Sequence, residues 1–256
     1  MKIRYCILTL NQFEWVVDQH LPSLDPSLID GVHVHISEVG TLTYNNAAVA
    51  DPYDVPELVT QMNRFTACKI SVSLTNLGVA NGWNHFIKEA SRDGYDAVVV
   101  ANDDIILYAG VVERFTEKMK EHQFVCFSGQ NAFSFYGMHT RLFEEVGEFD
   151  EQFWPAYFED NDYHYRMKLK GLPTAYVEDP SYFHRGSATL SSFDFQRKMM
   201  HHHNFRKNTE YFVRKWGGMP HEETYTIPFG YQDVDNSESE FAQAAFDRFE
   251  SSSTED

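Results

Sequence analysis

Residues Tyr95 to Leu107 read YDAVVVANDDIIL, an apolar run that ends abruptly in Asn102, Asp103 and Asp104. A strand with no polar alternation needs cover on both faces, which is the condition of a parallel sheet held between helical layers. In open sheets of that kind, ligands bind at the rim formed by the carboxyl ends of the strands. Adjacent carboxylates delivered to that rim point to a metal or phosphate site.

The rest of the chain supports the same architecture. Ile3 to Leu10 reads as a strand leading into Thr9 and Asn11, followed by a helix around Glu14 to His20. Val32 to Ile36 and Lys69 to Leu74 read as two further strands, the first ending near Glu38. In NLGVANGWNHFIKEASRDG, Gly78 and Gly82 are expected to allow a tight loop, and Trp83, Phe86, Ile87 and Ala90 recur at helical spacing until Gly94 closes the helix. Val111 to Gln123 is a second amphipathic helix, and strand-like runs follow at Phe124 to Phe127 and Asn131 to Gly137. Strands alternating with helices imply an α/β fold with a largely parallel sheet.

Composition narrows the partners. The net charge of −17 disfavours nonspecific attachment to nucleic acid or to an anionic bilayer, although a local basic groove could coexist with it. The segment from Asp233 to Asp256 holds eight acidic residues against Arg248 alone, and is expected to be a flexible acidic tail with a short docking helix carrying Phe241, Ala245 and Phe249. Cys6, Cys68 and Cys126 are odd in number and lack CxxC spacing, so buried free thiols in a reducing compartment are expected. The N-terminus lacks the apolar length of a leader, and no run approaches the roughly 20 apolar residues that span a bilayer. The expectation is a soluble, cytoplasmic protein, in the host cytoplasm if the chain is viral.

Two clusters have competing readings. Glu159, Asp160 and Asp162 follow the aromatic stretch Phe153, Trp154, Tyr157 and Phe158; three carboxylates at a helix start can serve the helix dipole as readily as chemistry. Arg206, Lys207, Arg214 and Lys215, beside Tyr211, Phe212 and Trp216, can form a lid meeting a diphosphate, or an amphipathic helix with solvated charges. His201, His202 and His203 are consecutive, so on a helix they diverge and cannot share one ion; structural or surface roles are expected for all three.

The succession NLGVANGWN, VVVANDDI, FEEVGEFDEQFWPAYFEDNDYHYRMKLKG and HRGSAT resembles the inverting glycosyltransferases of family 2, phage-type members included, over roughly Ile3 to Thr189. The resemblance implies a GT-A fold: a Rossmann-like, mostly parallel central sheet flanked by helices, with a small antiparallel region on the acceptor side. It implies one domain over residues 1–232, with a donor-binding half to about residue 108 and an acceptor and catalytic half from 109, before the tail at 233–256. By the same resemblance Asp104 is a metal ligand for Mn²⁺ or Mg²⁺, and His184 a second ligand or diphosphate contact. Asn102 departs from the family's first motif Asp, while Asp103 falls to the donor ribose or sugar. Asp160 matches the catalytic base, with Glu159 beside it. Thr9, Asn11, Glu38, Gly78 and Asn84 match the donor pocket, and Glu38 stands where the family usually has Asp. Trp154, Asp162, Arg185, Lys215 and Trp216 are assigned to the acceptor side or lid.

The implied reaction is transfer of a sugar from a nucleoside-diphosphate donor, UDP by default, to an acceptor hydroxyl, most simply on a glycan. Other acceptors are a hydroxymethylated base in DNA, as phage-type sugar transferases use, a protein, a small molecule or a lipid-linked intermediate. A reading from another class is a sugar-nucleotide-binding module without catalysis.

Overall fold

A computed structural model of the chain describes residues 1–127, 132–178, 182–186, 188–191 and 193–230. The acidic tail therefore lies outside the described residues. The described residues divide into two compact units, one over 1–208 and one over 209–230.

Among the described residues the first unit is built on a seven-stranded sheet. Its strands, in chain order, are β1 (Ile3–Thr9), β2 (Gly31–Ile36), β3 (Cys68–Val72), β4 (Ala97–Asn102), β6 (Phe124–Phe127), β7 (Phe135–His139) and β8 (Ala175–Val177), with the short β5 (Ile105–Leu107) set off from it. The spatial order is β8-β6-β7-β4-β1-β2-β3. β1 pairs in parallel with β2 and β4, β2 with β3, and β6 with β8, while β7 runs antiparallel between β4 and β6. The architecture is α/β, a mostly parallel central sheet flanked by helices with small antiparallel sheets beside it.

Alternation along β1 shows why the sheet needs two covers. Tyr5 and Ile7 enter one apolar cluster, and Cys6 enters the other. Helix α1 (Val79–Arg92) and helix α3 (Glu159–Leu169) supply the second cluster with Trp83, Phe86, Ile87, Ala90, Tyr163 and Met167; helix α2 (Val111–Met119) closes the first.

Several expectations are corrected. Gly82 lies inside α1, not in a loop, and a Cβ there would stand 2.6 Å from Leu8 Cδ2, so the missing side chain lets the helix approach β1. The strand expected over Asn131 to Gly137 is Phe135–His139, entered through a short 3₁₀ turn at Ala132–Ser134. Cys6 and Cys126 are buried, but Cys68 is exposed because it opens the outermost strand; all three are free. The helix expected from Glu14 includes a π-helical turn at Val16–His20. Among the described residues no helix is long and apolar enough to cross a membrane.

Helix α4 (Phe195–Trp216) runs from the first unit into the second. In the second unit, the Trp216 carbonyl accepts from Thr224 and Tyr225 after a left-handed Gly217, and the Lys215 ammonium lies 5.3 Å from the Trp216 ring centroid. Lys215 and Trp216 are both buried.

Candidate active site

β4 ends at Asn102, and the chain turns at once into β5. β9 (Tyr182–His184) pairs antiparallel with β5, placing His184 opposite Ile105, and Arg185 N–H donates to the Asp104 carbonyl at 3.1 Å. That register carries a side chain from 80 positions downstream to the strand-end carboxylate: His184 Nε2 stands 3.1 Å from Asp104 Oδ1. Burial acts to raise the Asp104 carboxyl, but the His184 hydrogen bond and charge, with the Ala188 N–H, outweigh it and leave the group below its ordinary value. Asp103 behaves oppositely. Burial, then the neighbouring Asp104 charge, lift it to about 7 against the Thr9 hydroxyl and the Leu10 N–H.

The second cluster enters from α3. Tyr157 and Phe158 both take left-handed backbone, φ 77° and 76°, and the helix starts at Glu159. Glu159 is buried, with Oε2 lacking a hydrogen-bond partner; burial, then the Asp160 charge, push it well above the usual carboxylate range. Asp160 Oδ1 accepts from the backbone N–H and the side-chain amide of Asn161 at 2.8 and 2.7 Å. Burial still raises its carboxyl.

Both clusters line one cavity of about 390 Å³, within the range of small-molecule sites. Asn102, Asp103, Asp104 and His184 contribute to its wall, as do Glu159, Asp160 and Gly78. Gly78 is fixed in kind: φ is +79°, and a Cβ would stand 2.7 Å from Trp154 Cδ1. Trp83, Phe133, Tyr157 and Phe193 add aromatic surface.

Other residues singled out in the sequence stand off that wall. Thr9 is buried at the end of β1. Asn11 donates to the Thr189 carbonyl at 3.2 Å. Glu38, left-handed at φ 53°, pairs with Arg197 at 2.9 Å. Asn84 is buried in α1, where its amide accepts from Phe149 N–H at 2.8 Å and donates to Phe149 O and Glu151 Oε1 at 2.9 Å; it holds backbone instead of facing the cavity. Asp162 is turned into the interior toward Arg166 Nε at 2.8 Å. Arg185 reaches Gln12 Oε1 and lies 4.6 Å from the Trp15 ring centroid. Trp154 is exposed, its Nε1–H donating to the Asn76 carbonyl. His201, read in the sequence as structural or surface, lines the cavity and meets Tyr157 edge-on at 5.3 Å. Its signal was helical spacing: His201, Phe205 and Asn208 fall at i, i+4 and i+7 of α4.

No group of three His, Cys, Asp or Glu side chains forms a complete metal cage among the described residues. Asp104 and His184 nevertheless supply a carboxylate oxygen and an imidazole nitrogen side by side on the cavity wall. The carboxylate fits a hard divalent cation completed by phosphate oxygens and water, and the imidazole adds a nitrogen donor of the kind transition-metal ions accept.

No protein-family model and no curated protein matches the chain. Solved structures do. TarS from S. aureus matches with a TM-score of 0.50 at 14% identity, over 71% of this chain and 36% of that one. Its residues 1–349 match with 0.52 at 14% identity, over 85% and 74%. The same segment in complex with UDP-GlcNAc gives 0.53 at 14%, over 83% and 67%. This chain thus spans about a third of the longest of these relatives. The fold is that of the GT-A glycosyltransferases.

Proposed function

We propose that the chain is a glycosyltransferase that moves a sugar from a nucleoside-diphosphate donor to an acceptor hydroxyl, with inversion at the anomeric carbon. The observation that carries this reading is that the Asp104–His184 pair and the Glu159–Asp160 pair line one cavity. UDP-GlcNAc bound to a protein of the same fold makes a UDP sugar the first donor to test.

The reaction needs two separate groups, one for charge on the leaving diphosphate and one for the acceptor proton. Asp104 and His184 would hold a Mn²⁺ or Mg²⁺ ion, which when bound would neutralise the diphosphate. Asp160 would accept the acceptor proton as the hydroxyl attacks, a role worth typically ~10²–10⁴-fold. Because burial raises its carboxyl, the base is ionised only above the ordinary aspartate range, and transfer should fall on acidification. One in-line displacement converts an α-linked donor into a β-linked product. The aromatic wall would shelter the reacting centre from water.

The test is a panel of nucleoside-diphosphate sugars, beginning with UDP-GlcNAc, followed by thermal shift and by release of nucleoside diphosphate, with and without Mn²⁺. A donor that raises the melting temperature and is turned over supports the reading. Binding without turnover against glycan, small-molecule and hydroxymethylated-DNA acceptors would instead favour a non-catalytic module.

A further inference from the structure

The turn that aims Glu159 and Asp160 is held from both sides. On one flank Val79 N–H donates to the Pro155 carbonyl at 2.8 Å, and Trp154 Nε1–H to the Asn76 carbonyl at 3.3 Å. On the other, α4 packs Phe205 against the Tyr157 and Phe158 rings at 5.4 and 5.5 Å between centroids. One turn further along α4, Asn208 is only 3% exposed, and its Nδ2 donates to the carbonyls of Ala156 at 2.9 Å and Tyr157 at 3.3 Å.

Two consecutive non-glycine residues in left-handed backbone persist only where the surroundings over-determine them. Tyr157 and Phe158 are such a pair, and the next two residues are the carboxylates of the cavity. Rotation of either peptide toward an ordinary conformation would swing the start of α3, and Asp160 with it. A primary amide is suited to hold this turn, because its two N–H groups can serve two carbonyls at once.

We infer that Asn208 is a positioning residue: by gripping the carbonyls of Ala156 and Tyr157 it fixes the left-handed turn from which Glu159 and Asp160 enter the cavity. The inference rests on the proposed transfer only for its kinetic consequence. Asn208 touches no reacting atom; it acts through the direction of Asp160.

The experiment compares wild type with Asn208→Ala and with Asn208→Asp, which keeps the shape but replaces the donating amide with acceptor oxygens. UDP-GlcNAc turnover is measured well below the melting temperature and normalised to nucleotide-binding sites, alongside donor affinity and backbone hydrogen exchange over residues 157–164. Both variants should lose ~10–100-fold in kcat, the scale of a small misplacement of a catalytic group. Donor affinity should stay within about twofold, and exchange over 157–164 should quicken. A purely structural role predicts lower stability with kcat per binding site unchanged; that result, in whichever variant folds, overturns the inference. If wild type turns over no donor, the proposed function fails instead, and hydrogen exchange alone decides whether Asn208 holds the turn.

Discussion

Asn84 offers a sharp test, because the family resemblance assigns it to the donor pocket while its side chain lies in the core. The Asn84 amide makes three hydrogen bonds, to Phe149 N–H, Phe149 O and Glu151 Oε1, at 2.8, 2.9 and 2.9 Å. Phe149 is itself buried, between Trp83 at 5.0 Å and Tyr163 at 4.0 Å between ring centroids. Asn84→Ala would strand a backbone donor and a backbone acceptor away from water, at about 1–3 kcal/mol each. Taking the middle of that range, the loss is about 4 kcal/mol, or roughly 8–16 °C in melting temperature for a chain of this size. Thermal melting and urea unfolding measure it directly, with donor titration at low temperature as the companion assay. A melting temperature lowered by less than about 3 °C would refute the packing argument. A tenfold loss of donor affinity without destabilisation would return Asn84 to the donor pocket.

Acidification is expected to weaken the fold through His33 and His35, buried side by side on β2 and bridged by the Ser71 hydroxyl. Burial, then the charge of His85, holds them down to about 2 and about 4, with Lys69 and Arg4 also acting on His33. Their folded values lie below the unfolded value, so the stabilisation is complete above pH ~6.5 and is lost as pH falls; at pH 5 each costs about 2 kcal/mol. Urea unfolding at pH 7 and pH 5 should show this dependence reduced by about one proton in His33→Gln, and an unchanged dependence would contradict it. Gly78→Ala should lower both stability and donor affinity, since it forces a side chain into left-handed backbone 2.7 Å from Trp154; wild-type values for both would show that the turn relaxes freely.

Much of this fold is legible in the sequence because its signals are local. The run Val98 to Val100 ending in carboxylates announced β4 and the sheet rim, and the spacing of Trp83, Phe86, Ile87 and Ala90 announced the buried face of α1. What escaped depends on long-range geometry. Nothing near Asn84 tells that its amide pairs with backbone 65 residues away; Asp162, by contrast, has a local partner in Arg166 at i, i+4 of the same helix. Only the family resemblance linked His184 to Asp104, because the pairing of β9 with β5 leaves no local trace. The shifted boundary of β7 has a plain cause: its approach, Ala132–Ser134, is a 3₁₀ turn whose Phe133 packs among aromatic rings and so reads as part of a strand. The three histidines diverge around α4 as consecutive positions must, and that divergence brings His201 to the cavity wall.

The central claim is that Asp160 draws off the acceptor proton in the cavity it shares with the Asp104–His184 pair, and Asp160→Asn tests it most directly. Transfer should fall ~10²–10⁴-fold, about 3–5 kcal/mol on the barrier, with donor affinity unchanged within about twofold. Burial raises the folded value of Asp160 above the unfolded one, so the stability this carboxyl lends is present at low pH and lost as pH rises. The variant should therefore be at least as stable as wild type at neutral pH. Transfer that survives Asp160→Asn in a folded, donor-binding protein would contradict the account.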